Sequence, residues 1–483
     1  MKSHIRNKMK SAIFLTALIV VLGCASRKER PADNAKSEKP VIAAIPSTPA
    51  PQFKLRPMKE IKLQNGMKIL FITDNSLPRV SLTLLAKVGA RQDPQGKAGL
   101  NTLTAHLLEQ GTQSRSAPIL ADEMGQLGTE IAIEPGNDFT IISMDALVNS
   151  SDKLISLFSD IIMNPAFSDA EVGRAKSQIM AQQQKKVDDP SSFASDAFDA
   201  FLFQGHPYAN DVTGTPQSIR KIKKQDVIRH YLTQYRPNNA MLTVVGRFNK
   251  DFEVKVAESF KKWAAKPIKD FSAPQPKAIA GMEVKLLSKS GLQQAQIRIG
   301  EFGIRRVDED FLKLRLANIA LGGEFGSRLN QRVRDDLGLT YSIFSSFDSR
   351  ADRGPFIIST FTKNETVGQT LDESLKVLTD FTEQGMSDSE FKAAKEQLLS
   401  QFPRAIETAD RLAQNILILN YYGVPLSYLQ DFNKNVNALT LEQVNTSMKK
   451  NLDAKNLRIL IYADQRKVFS QISKYKPVVE RAR

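Results

Sequence analysis

The sequence predicts an α+β protein of two related domains behind an exported, tethered N-terminus. Three observations carry this. The chain has 483 residues, too many for one ordinary core. A Pro-rich break, "AAKPIKDFSAPQPKAIAG" (264–281), divides the chain beyond its N-terminal region into two segments of ordinary domain size. The segments before and after that break also close alike. "VIRHYLTQYRPNNAMLTVVGRFNKDFEVKVAESFKKW" (227–263) reads helix, turn, apolar strand, helix. "QVNTSMKKNLDAKNLRILIYADQRKVFSQISKY" (443–475) repeats that order at nearly the same lengths, setting Asn456 opposite Asn239.

Residues 1–23 carry Lys2, Arg6, Lys8 and Lys10, no acid, and an apolar run too short to be a comfortable membrane span. The run ends at Gly23-Cys24, Cys24 being the only cysteine, so the chain holds no internal disulfide. Val21-Leu22-Gly23-Cys24 resembles a bacterial lipobox, which implies a signal peptide over 1–23 and acylation of Cys24. Ala25 in the next position favours the outer membrane, facing the periplasm. Residues 24–54 are rich in Pro, Ala, Ser and charge without period, and read as a lipidated flexible tether.

Folded elements begin at "EIKLQNGMKILFITD" (60–74), where Asn65-Gly66 between alternating apolar runs predicts a hairpin. "VSLTLLAKVGA" (80–90) predicts a strand. "GLNTLTAHLLEQ" (99–110) predicts a helix with Leu100, Leu103, Leu107 and Leu108 on one face. The first domain is taken as 55–266, the linker as 267–280 and the second domain as 281–483. Removing the four leader cations from the net charge of +15 leaves +11, with the basic residues interspersed among acids. The densest run, "RKIKK" (220–224), reads as a solvated helix face, and no nucleic-acid-binding motif is present.

Within the predicted helix, His106-Leu-Leu-Glu109-Gln110 falls one residue short of the inverted zinc-peptidase motif His-x-x-Glu-His. Its frame decides its meaning. "NGMKILFI", "VGARQDPQGKAGL", "GT" (111–112), "GTPQSI" (214–219), "HYLTQYRPNNAMLTVVG" and "GLTYSIFSSF" occur in an order that resembles the pitrilysin/insulinase family of zinc metallopeptidases. The short members similar to mitochondrial processing peptidase are the better match, over residues 58 to about 476. The resemblance implies two homologous α/β-sandwich domains, each a mixed sheet packed by helices, forming a half-chamber.

In active members the helix reads Gly-Leu-x-His-x-x-Glu-His-x-x-x-x-Gly-Thr. Framed by Gly99-Leu100 and Gly111-Thr112, the first histidine position is Thr102, the glutamate is Ala105 and the second histidine is His106. The family's third ligand, a glutamate on a later helix, corresponds to Gln182 in "SDAEVGRAKSQIMAQQQKKVDDP" (168–190). Two histidines four apart on a helix face one metal ion, and the glutamate between them can take a proton from bound water. Threonine and an amide are poor zinc ligands and alanine is no base, so no metal is expected on this chain. His106 and the structural His206 and His230 do not replace the missing groups, and Glu109 is expected on an exposed helix surface.

The family also uses an arginine and a tyrosine of the second half to stabilise the scissile carbonyl. Arg334 and Tyr341, seven apart, match that spacing. The resemblance therefore implies the non-catalytic subunit of a heterodimeric peptidase: a paralogous chain brings zinc, this chain brings Arg334 and Tyr341, and unfolded peptides are the substrates. Two alternatives stand beside it: a peptide-binding or assembly protein without proteolysis, and a self-sufficient zinc peptidase built around His106 and Glu109.

Overall fold

The computed structural model describes residues 55–482. The signal peptide, Cys24 and the tether at 24–54 lie outside the described residues. Twelve strands form two six-stranded mixed sheets. The first contains β1 (Met58–Lys62), β2 (Lys68–Thr73), β3 (Arg79–Ala86), β4 (Ala132–Pro135), β5 (Thr140–Leu147) and β6 (Ala240–Gly246). The second contains β7 (Glu283–Ser288), β8 (Gln294–Phe302), β9 (Ile343–Phe347), β10 (Pro355–Lys363), β11 (Arg458–Ala463) and β12 (Val478–Arg481).

Their orders are β1-β2-β6-β3-β5-β4 and β12-β7-β11-β8-β10-β9. Five strands correspond one to one, and β6 and β11, which hold the two similar tail segments, occupy the same place. The sixth differs in origin. β1 enters from the N-terminal side and pairs antiparallel with β2, whereas β12 is the last strand and pairs parallel with β7. One architecture is thus completed from opposite ends of the chain.

Local chemistry explains the first elements. Gly66 takes a left-handed φ of 87° in the turn between β1 and β2, a conformation glycine adopts without a Cβ clash. The Asn65 amide beside it donates to the carbonyls of Phe260 and Trp263 at 2.8 and 3.0 Å, so the hairpin turn also caps the end of the helix Lys250–Lys261. Buried Ile69, Leu82, Leu84, Val244 and their neighbours form the first core with the helices behind. The linker between that helix and β7 contains no helix or strand, yet it is seated: Arg236 and Asn238 donate to the carbonyls of Ala264 and Lys266.

Two helices join the halves by exchange. The helix Pro190–Leu202, from the first half, packs on β8 and β11 of the second sheet, where Ala194, Phe198, Phe201 and Leu202 meet Leu287, Leu460 and Tyr462. The helix Ala409–Tyr422, from the second half, packs on β3 and β6 of the first. Each sheet therefore completes its core with a helix of the other half. Gly300 of β8 lies against Phe198, and a Cβ there would come 2.1 Å from the Phe356 carbonyl oxygen, which only glycine permits.

Candidate functional site

The helix Leu100–Leu108 starts where Gly99 turns with φ 89°. A Cβ on Gly99 would meet the Thr213 carbonyl oxygen at 2.6 Å, and one on Gly214 would meet that of Ala98 at 2.3 Å. The two motif glycines therefore exist for each other: they let the loop 211–214 lie directly on the helix start. Asp93 serves the free N–H groups of that start, accepting from Gly99 and Leu100 through one oxygen and from Asn101 through the other, at 2.7, 3.1 and 2.8 Å.

Burial pushes Asp93 up to about 7, against the pull of those three donors. With the folded value above the unfolded one, this group's share of stability is full below the ordinary carboxylate value and lost as pH rises through about 7. The fall in urea midpoint between about pH 5 and about pH 8 is accordingly expected to be smaller in Asp93→Asn than in the unmodified chain. Equal falls would remove Asp93 as a source of that slope.

The positions that the resemblance assigns to zinc chemistry on the helix Leu100–Leu108 are occupied by side chains in internal contacts or enclosed in the fold. Thr102 is fully buried and its hydroxyl donates to the Val212 carbonyl at 2.6 Å. Ala105 is fully buried as well. His106 is half-buried, makes no hydrogen bond among the described residues, and is held below its ordinary pKa by burial. Glu109 is not the exposed residue expected: it caps the helix C-terminus half-buried, and burial raises its pKa.

Gln182 also requires correction. It is exposed, because the inward stripe of the helix Asp169–Asp188 runs Val172, Ala175, Ile179, Gln183. One residue turns a helix by about 100°, and that rotation places Gln183 rather than Gln182 toward the site. The Gln183 amide donates to Asp211 at 3.1 Å and to the Thr213 hydroxyl. Lys186, one turn on, bridges Asp196 and Asp211, each at 2.8 Å. The 3- and 4-residue spacing of that stripe was available in the sequence and would have selected Gln183.

His230 donates through Nε2 to the Asn101 amide oxygen at 3.2 Å, and His206 lies beside Tyr208 and Asp352; both are enclosed within the fold. Among the described residues no group of three His, Cys, Asp or Glu could hold a metal ion. An alcohol bonded to a carbonyl, an alanine, one histidine and an amide already committed to a loop do not fit zinc. Metal analysis of the purified chain is expected to find far less than stoichiometric zinc, and His106→Ala is expected to leave that content unchanged. Stoichiometric zinc lost on His106→Ala would reinstate an unconventional site.

The sheet edge beside this helix is open. Gly136 N–H donates to the Phe139 carbonyl at 2.9 Å and closes the β4–β5 hairpin. Antiparallel alternation then turns the N–H and C=O of Ile133 to the outer side of β4, the edge strand against which the helix Leu100–Leu108 packs. The matching edge of the second sheet is closed. The Asn330 and Asn318 amides donate to the Ile343 and Ser345 carbonyls of β9, both at 2.9 Å. Gly322 lies so close that a Cβ would reach the Ser345 backbone N at 2.7 Å.

Beside that closed edge stand Arg334 and Tyr341. Arg334 belongs to a π-helical segment, Asn330–Asp336, which ends at Gly338 with φ 60°. The Thr340 hydroxyl donates to the Phe361 carbonyl at 2.6 Å, while Tyr341 stays 81% exposed. The Arg334 guanidinium carbon lies 4.6 Å from the ring centre of Phe325 and 5.8 Å from that of Tyr341. Its nearest carboxylate, Asp335, is at 3.9 Å. Phe325, itself 74% exposed, was not singled out by sequence spacing. The result is a cation in cation–π range of two exposed rings rather than in a tight ion pair, with an exposed phenol beside it.

Comparisons with known proteins agree on the type of fold. Residues 68–216 match the model of insulinase (peptidase family M16), and residues 221–398 match that of the peptidase M16 inactive domain. The chain is similar to a non-peptidase homolog from Helicobacter pylori, 24% identical over 407 residues, covering 84% of this chain and 93% of the relative. It is likewise similar to an uncharacterized zinc protease from Rickettsia bellii, 25% identical over 369 residues, covering 75% of this chain and 88% of the relative. A crystal structure of a peptidase M16 inactive domain from Pseudomonas fluorescens superposes with TM-score 0.77 at 26% identity, covering 84% of this chain and 98% of the other. A protease from Helicobacter pylori does so with TM-score 0.77 at 18% identity, covering 84% and 100%.

Proposed function

The chain belongs to the insulinase family of peptidases, family M16, and from that premise we propose that it is the non-catalytic subunit of a two-chain zinc peptidase. A paralogous partner carries the zinc and the proton-accepting glutamate. This chain contributes Arg334 and Tyr341, which donate to the scissile carbonyl oxygen as negative charge develops on it. Donors placed in advance at such a point need no reorganisation during the reaction. The single observation that carries the reading is the asymmetry between two sites. Thr102, Ala105 and Gln183 are enclosed and committed to internal contacts, whereas Tyr341 is exposed and Arg334 beside it has only a loose ion pair with Asp335.

The substrates in this reading are unfolded peptides entering a chamber shared by the two subunits, with Cys24 as a lipid anchor at the cell envelope. The test is co-purification from the native membrane, followed by a peptidase assay with and without chelator. Chelator-sensitive activity that requires both chains supports the reading. Absence of an intact zinc-bearing paralogue from the genome would remove it.

A second reading has its own support. The free edge of β4 offers the Ile133 N–H and C=O to an extended chain whatever the state of the zinc positions. A protein that holds peptides without cleaving them would need that edge and would not need Arg334. Peptide binding unchanged in Arg334→Ala, with no partner-dependent turnover, selects this alternative.

A further inference from the structure

A cleft of about 460 Å³ opens in the second half, between the segment that follows β8 and the segment that follows the helix Ala409–Tyr422. Its volume falls within the range of small-molecule sites. Its apolar walls are Leu312, Val424, Pro425 and Leu439. Arg306 projects into it, half-buried, with its guanidinium carbon 3.8 Å from the ring centre of Phe311 and 4.7 Å from that of Tyr428.

Arg306 and Lys313 line this cleft beside Asp308 and Glu309, and Lys313 is bound to Asp310 at 2.7 Å. Arg305, the neighbour of Arg306, is bound to Asp308 at 2.8 Å, whereas Arg306 has no carboxylate partner among the described residues. Arg315 stacks on Phe432 and has none either. Burial lowers the pKa of Arg306 and the Arg315 guanidinium adds to the effect, while Tyr428 opposes it. The Tyr428 hydroxyl lies against the Arg306 guanidinium and is itself enclosed, so it helps to position the arginine. A partly buried guanidinium is ordinarily paired, and its planar donor fork matches a carboxylate. Arg306, held flat by two rings, is an arginine prepared for an anion that the chain itself does not supply.

The anion's class follows from the remaining lining. Asp308 and Glu309 also border the cleft, which disfavours a dianion such as phosphate, and the apolar walls suit a hydrocarbon body. We propose that this cleft binds an apolar molecule through a single carboxylate, with Arg306 on the carboxylate and Leu312, Val424, Pro425 and Leu439 around the body. A free apolar acid and the C-terminal residue of a peptide both present that chemistry. The site is independent of Arg334 and Tyr341 and of the subunit role proposed for them.

The test is calorimetric titration of the purified full chain with N-acetyl-leucine, its amide and inorganic phosphate. N-acetyl-leucine is expected to bind at least about tenfold more tightly than the amide, and phosphate is expected not to compete. Arg306→Gln is expected to abolish that preference and Tyr428→Phe to weaken it. Should Arg306→Gln fail to fold, Tyr428→Phe and the acid–amide comparison on the unmodified chain still decide. Equal affinity for acid and amide, no binding at about 10 mM acid, phosphate binding in place of the acid, or full binding by folded Arg306→Gln would each overturn the proposal. A leucine-ended peptide that binds like the free acid, and loses binding on C-terminal amidation, identifies a peptide terminus as the source. Binding of the acid with exclusion of the peptide identifies a small molecule.

Discussion

Arg334→Ala, assayed in the reconstituted two-chain preparation, is expected to lower kcat by about 10²–10³-fold with little change in KM, the scale seen when one preorganised oxyanion donor is removed. The selectivity of the effect follows from the geometry. Arg334 makes no tight ion pair that the substitution would break and is not part of either core, so the fold has little to lose. Phe325 and Tyr341 both lie within cation–π range of the guanidinium. Tyr341→Phe retains the ring, and therefore the stacking, but removes the phenolic donor. It should reduce kcat while leaving peptide affinity and thermal stability near those of the unmodified chain. Unchanged turnover in both variants would eliminate the proposed role of this pair.

Asp138→Ala is expected to destabilise the chain by about 3–5 kcal/mol, the cost of breaking a buried charge pair from one side. Asp138 is 3% exposed and stands where the two halves meet. It accepts from the Tyr208 hydroxyl at 2.5 Å and from Arg91 at 3.4 Å, both in the first half. From the second half it accepts from the Tyr422 hydroxyl at 3.1 Å and from the Ala351 N–H at 2.9 Å. Arg91 reaches on to Asp352 at 3.0 Å, so one carboxylate and one guanidinium join a first-half hairpin turn to the loop between β9 and β10. Removing the carboxylate leaves several enclosed donors unsatisfied. Urea unfolding should register the loss in the midpoint, and Asp138→Asn, which keeps one acceptor, should lose less. A change below about 1 kcal/mol would mean that the apolar contacts of the exchanged helices hold the halves together unaided.

Arg334 and Tyr341 belong to the second half, on the segment that leads into β9, and the open β4 edge belongs to the first sheet. Their relative placement depends on the exchanged helices and on Asp138. A loosened junction is therefore expected to reduce turnover in the paired preparation even though Asp138 itself is remote from any substrate.

Much of this organisation is legible in the sequence where the signal is local. Asn65-Gly66 specifies a turn because its backbone demands lie within five residues. The leucines of 100–108 specify a helix because period 3.6 is a property of neighbours. The similarity of 227–263 to 443–475 anticipates that β6 and β11 hold equivalent places. The candidate site is legible in kind: that Thr102 and Ala105 cannot perform zinc chemistry follows from their side chains, whatever surrounds them. The choice of Gln182 fails because it rests on counting between motifs rather than on the stripe Val172, Ala175, Ile179, Gln183.

The likeness of the two tail segments in the sequence pointed to two related α+β halves, and the family resemblance, carried over residue by residue, set at the ligand and base positions side chains, Thr102 and Ala105, whose chemistry does not suit them. Contacts between residues far apart in the chain decided the rest. An amphipathic helix declares that one face is buried, not against what, so nothing in 190–202 or 409–422 announces that each helix lies on the other half's sheet. The same holds for Asp138, for the asparagines that close β9 while β4 stays open, and for Phe325 beside Arg334. Each depends on groups brought together only when the two cores form, because side-chain pairing across the fold has no period to read.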